Sequence, residues 1–168
     1  MKPKLPESKA IELLNILNID TLPTPVEKIL KHFGISLSYD LGDDISGVLI
    51  ANKNGMAVIG VNPKESHVRQ RFTIGHEIGH FVLHRNQSEL FVDEHYLVVA
   101  RDGTIDKFEL EANAFSAALL MPENLLKEQI SLLSQKKSTE EEKINLLAKK
   151  FMVSQIAMTY RLSNLNIL

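Results

Sequence analysis

Residues 76–80 read His-Glu-Ile-Gly-His, which places two imidazoles four positions apart with a carboxylate between them. On an α-helix, side chains four residues apart project from nearly the same side, so His76 and His80 can bind one metal ion. A bound zinc ion lowers the pKa of its water to about 7, and a neighbouring carboxylate can take the proton during attack on a peptide carbonyl. The pattern predicts a zinc protease with Glu77 as catalytic base.

Two histidines leave such a site one ligand short, because catalytic zinc usually has three protein ligands and an open water position. His84 lies a further turn beyond His80, and three rings along about 12 Å of straight helix cannot all meet one ion. We therefore expect His84 to lie near the site as an accessory residue, and we look for the third ligand elsewhere.

Two carboxylates on the next predicted helix are candidates for that ligand, Glu109 and Glu111. Glu109 is preferred because it shares a helix face with small and polar residues that can lie close to the metal helix. Those residues are Ala112, Asn113 and Ser116. Glu111 follows the line of Phe115 and Ala118 and stays as the alternative. Asn113 and Glu111 are further accessory candidates.

The composition restricts the class of protein. With 168 residues, 44% of them hydrophobic and no long apolar run, we expect one soluble globular protein without a membrane partner. The absence of Cys excludes thiolate zinc ligands and, with no apolar leader at the start of the chain, predicts a cytoplasmic protein. A net charge of −2 provides no overall positive charge of the kind that favours unspecific nucleic-acid binding.

The segment before the motif predicts two helices and a small sheet. We expect a helix over residues 7–18, and a second one opened by a capping box at Thr24 with Glu27, which has Pro25 at its first position and Gly34 at its end. A strand follows at residues 35–39, and a hairpin joins Ser46–Ala51 to Met56–Val61 through a turn over residues 52–55. The motif helix should run over residues 65–85.

Gly75 and Gly79 lie inside that predicted helix, where each costs roughly 1 kcal/mol relative to Ala. Two explanations are open. Either a neighbouring element packs closely there, or a peptide substrate approaches the backbone at these positions.

After the motif we predict a strand at His95–Ala100 and a helix over residues 107–120, with Pro122 opening the next helix. His95, Tyr96 and Tyr39 are candidate oxyanion donors that the sequence does not rank. Thr139 with Glu142 forms another capping box.

The C-terminal residues 139–168 resemble a helix-turn-helix whose second helix begins at Ser154. That helix offers only three residues for phosphates or base edges: Gln155, Thr159 and Arg161. Three apolar residues of this helix are expected to pack against the rest of the protein: Ile156, Met158 and Leu162. We expect residues 1–138 to form the catalytic domain and residues 139–168 to pack on it, in preference to binding DNA.

Residues 71–80 and 109–122 resemble the two signature blocks of the ImmA/IrrE metallopeptidases. Further likenesses, at residues 46–47, 61–62 and 161–162, extend the resemblance over nearly the whole chain. The family pattern Glu-x-x-Ala-Asn-x-Phe-Ala places its metal glutamate on Glu109. The chain departs from the family at Ser116, where Ala is usual, and at Gly75, where Ala is common.

The order of the elements, strands first and then helices, predicts a single α+β domain in which a small twisted sheet lies over a helix pair that binds one Zn²⁺, followed by a helical C-terminal part. The resemblance implies that this domain is a zincin-like metallopeptidase. It also implies a substrate, because relatives cleave or remove helix-turn-helix repressors and so derepress genes of prophages, mobile elements or toxin–antitoxin-like loci. The alternative is a DNA-binding or regulatory protein that acts through its C-terminal segment without proteolysis.

Overall fold

The computed structural model describes residues 4–52, 56–87, 90–93, 106–134 and 138–167. Within these residues seven helices and four strands form a mixed α+β fold. The elements are, in chain order, α1 (Leu5–Ile16), α2 (Val26–Phe33), β1 (Ile35–Ser38), β2 (Gly47–Ala51), β3 (Ala57–Val61), α3 (His67–His84), β4 (Leu90–Asp93), α4 (Lys107–Leu120), α5 (Glu123–Ser134), α6 (Glu140–Phe151) and α7 (Gln155–Asn164).

The strands lie in the order β1-β3-β2-β4, with β1 parallel to β3 and β2 antiparallel to both of its neighbours. The pairing of Gly47 with Val61 confirms the predicted hairpin. Leu49 and Ile59 are opposite one another and buried, whereas Ile50 on the other face is half exposed. This alternation follows from the period of two in a strand, and it gives the sheet one covered face.

Strand β4 was not predicted, because its four residues are too short for a clear alternation and carry no turn signal. Strand β4 pairs with β2 and follows α3 in the chain, whereas the other three strands precede α3. The sheet therefore combines strands that come before and after the motif helix in the sequence. The predicted strand at His95–Ala100 lies outside the described residues.

Helix α3 contacts β2 and β3 on one side and α4 on the other. It begins after Ser66, whose hydroxyl accepts a hydrogen bond from the Arg69 N–H at 3.4 Å, and it ends at His84. The predicted helix over residues 65–85 is therefore confirmed to within two residues. Because α3 is covered on both sides, its motif residues His76, Glu77 and His80 are buried.

The two predicted capping boxes differ in outcome. At α6, Thr139 and Glu142 form both reciprocal hydrogen bonds, as predicted. At α2 the prediction is wrong, since Pro25 occupies the cap position and makes no side-chain cap bond. The Thr24 hydroxyl instead donates a hydrogen bond to the carbonyl of Leu119 at 3.0 Å. A tertiary hydrogen bond therefore uses the side chain that the local sequence predicted to cap α2.

Helix α4 lies at the centre of the core, where Phe115 and Leu119 are fully buried. Phe151 of α6 and Met158 and Leu162 of α7 belong to the same hydrophobic cluster. The proposed boundary at residue 138 stays a prediction. Among the helices of the described segments, none has the length and apolar composition needed to cross a membrane.

Candidate metal centre

Four ionisable side chains of α3 lie in the interior of the protein. His76, Glu77, His80 and His84 have exposed fractions of 0%, 0%, 1% and 1%. Burying such groups is costly unless they bind partners or a metal ion. Their position between the sheet and α4 therefore makes this the part of the fold where chemistry is to be sought.

The two glycines of α3 allow α4 to approach it closely. A Cβ at Gly79 would lie 3.1 Å from the Cα of Ala112, and a Cβ at Gly75 would lie 2.5 Å from the hydroxyl of Ser116. These pairs run in opposite chain directions, so the helices are antiparallel. Of the two explanations for the glycines, close helix packing is the one that the structure supports.

This close approach brings together one ligand atom from each of His76, His80 and Glu109. The two Nε2 atoms are 2.9 Å apart, and the Glu109 carboxylate oxygens lie 3.1 Å from His76 Nε2 and 3.0 Å from His80 Nε2. The small, polar face of α4 does lie against α3, as the helix-phase argument predicted. Among the residues that the structure describes, Glu109 is therefore the carboxylate that contacts the histidine pair.

The chemistry and spacing of this cluster fit zinc. Two imidazole nitrogens and one carboxylate oxygen, all within 4.8 Å of one another, make a typical three-ligand set for a catalytic zinc ion. Ligand atoms about 2.0–2.1 Å from a tetrahedral zinc ion are about 3.3 Å apart, close to the separations found here. The side chains need only small shifts to accommodate the ion.

A second layer of side chains contacts the outer nitrogens of the two histidines. His76 Nδ1 lies 3.0 Å from Asn113 Oδ1, and His80 Nδ1 lies 3.2 Å from His84 Nδ1. His84 Nε2 in turn lies 3.0 Å from a carboxylate oxygen of Glu111. Two of the accessory candidates, Asn113 and His84, thus contact the ligand histidines, whereas Glu111 contacts His84.

The carboxylate of Glu77 packs against the first residue of β2. A Cβ at Gly47 would lie 2.6 Å from Glu77 Oε1 and would also collide with the Thr73 side chain. Gly47 therefore leaves the space in which the Glu77 carboxylate sits. The sequence contained a signal for this position only through the family resemblance at residues 46–47.

Burial and hydrogen bonding act in opposite directions on the ionisable groups. Burial disfavours the charged form of Glu109, but the hydrogen bonds and charges of His76 and His80 outweigh it and hold the pKa of Glu109 at about 2. Burial lowers the pKa of His80, despite the hydrogen bond to Glu109. The cluster is thus disposed to present a carboxylate and a neutral imidazole, which are the forms that bind a metal.

Of the oxyanion candidates, His95 and Tyr96 lie outside the described residues, and Tyr39 is half exposed just after β1. The contacts of Gly47 and the pairing of His84 with Glu111 were missed by sequence reasoning. The four-residue spacing of His80 and His84 was a usable signal for the contact between these two rings, because such side chains are neighbours on a helix. The pairing of His84 with Glu111 joins two helices and had no such local signal.

Helices α6 and α7 are separated by residues 152–154, and the Ser154 side chain caps α7. The resemblance of this segment to a helix-turn-helix stays a prediction. Arg161, one of the three residues considered for DNA contacts, is buried and donates to the Met121 carbonyl at 3.1 Å and to Glu7 at 2.8 Å. Ile156 is 71% exposed, so the prediction that it packs is wrong, whereas Met158 and Leu162 are buried as predicted. A groove of about 1050 Å³ is lined by residues of α1, α3, α4 and α7.

Comparison with known families now decides the classification. The family model of the IrrE N-terminal-like domain, Peptidase_M78, matches residues 29–163. The chain belongs to this peptidase family. The match includes the motif helix and α4, and it confirms the resemblance to ImmA/IrrE proteins drawn from the sequence.

Two further proteins are similar to this chain. One is the "uncharacterized immunity region protein 2" of Bacillus phage phi105, 27% identical over 137 residues, which are 82% of this chain and 69% of the phage protein. The other is a solved Mycobacterium tuberculosis transcriptional regulator with a TM-score of 0.63 and 20% identity. The match covers 94% of this chain and 46% of the regulator, and it shows a shared fold.

Proposed function

We propose that this protein is a zinc-dependent endopeptidase that hydrolyses a peptide bond in a protein substrate. The observation that carries the proposal is the meeting of His76, His80 and Glu109 between α3 and α4, with the buried Glu77 on the same turn of α3. Membership of a peptidase family supports it independently.

In the proposed mechanism, the Nε2 atoms of His76 and His80 and the carboxylate of Glu109 would hold the ion. A zinc ion bound there would supply a water of lowered pKa and polarise the peptide carbonyl. The Glu77 carboxylate would accept a proton from the water as its oxygen bonds to the carbonyl carbon, and would pass that proton to the amine as the peptide C–N bond breaks. The Asn113 amide oxygen accepts a hydrogen bond from His76 Nδ1–H and so keeps Nε2 of that ring unprotonated for the ion.

The proposed substrate is a helix-turn-helix transcriptional repressor, cleaved to derepress genes of a mobile element, prophage or toxin–antitoxin-like locus. The family resemblance and a relative named for a phage immunity region support this choice. A cytoplasmic setting is proposed with it, because such repressors act there and the chain has no Cys.

The alternative, a DNA-binding regulator acting through α6 and α7, has less support. The burial of Arg161 removes one of its three candidate contacts, and Ile156 and Tyr160 leave the exposed surface of α7 partly apolar. Affinity for duplex DNA that falls steeply with added salt would favour this alternative, since counterion release accompanies phosphate contacts.

A Glu77→Gln variant tests the proposal. We expect it to bind zinc like the parent and to cleave roughly 10²–10⁴-fold more slowly, which is the usual contribution of a general base. Fragments of the repressor encoded in the same locus would be followed by mass spectrometry, with zinc content measured on both proteins. Exposed Glu128→Gln serves as control. Parental cleavage by Glu77→Gln at full zinc occupancy would remove this mechanism.

A further inference from the structure

Contacts run outward from the ligand His80 through His84 to Glu111, and neither His84 nor Glu111 has a part in the reaction proposed above. His84 is buried, whereas the Glu111 side chain is 27% exposed. The two links are 3.2 Å between the Nδ1 atoms of His80 and His84, and 3.0 Å between His84 Nε2 and Glu111 Oε2. The His84 ring is 1% exposed and also packs 4.6 Å from the ring of Phe108. His84 is therefore fixed by contacts on several sides.

The direction of each hydrogen bond follows from which nitrogen faces the ligand cluster. His80 Nε2 points at His76 and Glu109, so a metal-binding His80 keeps Nε2 unprotonated and carries its proton on Nδ1. For that Nδ1–H to donate to His84, 3.2 Å away, the Nδ1 of His84 must be unprotonated. A neutral His84 must in consequence carry its proton on Nε2, which donates to the Glu111 carboxylate.

We infer that His84 and Glu111 form a positioning relay that fixes the ring orientation and the metal-binding tautomer of His80. The inference rests on the proposed zinc site and extends it by two residues that do not touch the ion. Partners of this kind orient ligand histidines, and their loss typically lowers metal affinity about 10–100-fold. In most such sites a carboxylate or carbonyl contacts the ligand histidine directly. Here the His84 imidazole lies between His80 and Glu111, so the Glu111 charge is one ring further from the ion.

The first test is zinc affinity, measured by competition with a chromophoric chelator. His84→Leu removes both links, and we expect its Kd for zinc to rise about 10–100-fold. His84→Asn keeps an acceptor oxygen at the position of Nδ1, and we expect it to recover most of the affinity. Exposed His67→Leu on the same helix should match the parent, and Phe81→Leu controls for a core change in α3 that leaves the relay intact.

The second test is the protonation of the rings, read from long-range ¹H–¹⁵N correlation spectra of the metal-free proteins, because an ion bound to Nε2 would by itself place the proton of His80 on Nδ1. We expect a proton on Nδ1 of His80 and on Nε2 of His84. If His84 had only a structural role, the His84→Leu variant would keep the parental tautomer of His80. Its zinc Kd would also be no higher than the zinc Kd of Phe81→Leu. Either result, or a proton on Nδ1 of His84 in the parent, overturns the relay.

These outcomes separate the relay from the proposed function. A parent that binds zinc while His84→Leu binds it equally well overturns the relay alone. A parent that binds no zinc overturns the proposed function, and the relay with it. Loss of cleavage in Glu77→Gln has no bearing on the relay, because that variant keeps both links.

Discussion

At the scale of single residues, the difference between Glu109 and Glu111 is a matter of helix phase. Two residues turn a helix by about 200°, so the two carboxylates cannot reach the same point. Glu109 meets the Nε2 atoms of His76 and His80, while Glu111 meets His84 one turn further along α3. Ligand and accessory roles are thus divided by position on α4, although both residues are glutamates.

Replacing each glutamate by alanine tests this division. We expect Glu109→Ala to weaken zinc binding by roughly 10³-fold, since about 10–16 kcal/mol of binding free energy in structural zinc sites comes from only a few ligands. Glu111→Ala acts through His84 alone, so its loss should be about tenfold. The measurement is the zinc Kd of each variant at fixed pH. Equal losses, or a larger loss for Glu111→Ala, would exchange the two assignments.

At the scale of elements, the motif predicted α3 and the order of helices well, because helical spacing and caps are local signals. Other features depend on contacts that local sequence does not specify. Thr24 had the pattern of a cap but bonds to Leu119, and strand β4 is held by its pairing with β2. The predicted ligand cluster came from spacing on α3 and phase on α4, whereas the Gly47 contact requires knowing which strand covers α3.

Two departures from the family pattern, Gly75 and Ser116, contact one another between α3 and α4. The Ser116 hydroxyl fills the space that a methyl group at position 75 would occupy, and it donates to the Phe72 carbonyl at 2.9 Å. One residue is smaller than the usual family residue and the other is larger. The pair therefore conserves the packing volume at the helix crossing.

A double-mutant cycle tests this compensation. Gly75→Ala should displace the hydroxyl at a cost of about 2 kcal/mol, which the higher helix propensity of Ala offsets by about 1 kcal/mol, and Ser116→Ala should lose its hydrogen bond. Each variant should therefore lower the free energy of unfolding by about 1 kcal/mol. The double variant should be more stable than the sum predicts by about 1–2 kcal/mol. Urea unfolding of the metal-free proteins measures this, with Gly42→Ala as control because no atom lies within 4 Å of the added methyl. Additive losses would show that the two positions are independent.

At the scale of the whole molecule, Arg161 joins three distant parts of the chain. Its guanidinium donates to Glu7 of α1 and to the Met121 carbonyl at the end of α4, while its backbone belongs to α7. A buried cation needs such partners, because an unpaired charge in the interior is strongly destabilising. Helix α7 is thereby attached to α1 and to the end of the helix that carries Glu109, so Arg161 stabilises the packing of α7.

Removing this side chain distinguishes packing from nucleic-acid binding. We expect Arg161→Ala to lower the free energy of unfolding by roughly 2–4 kcal/mol, since Glu7 and the Met121 carbonyl lose a charged hydrogen-bond donor. Exposed Lys149→Ala on α6 should change it by no more than about 0.5 kcal/mol. Urea unfolding gives these values, and duplex-DNA titrations at two salt concentrations accompany them. Parental stability of Arg161→Ala together with weakened DNA binding would reverse the conclusion, because a guanidinium that anchors α7 in the core cannot be removed without a loss of stability.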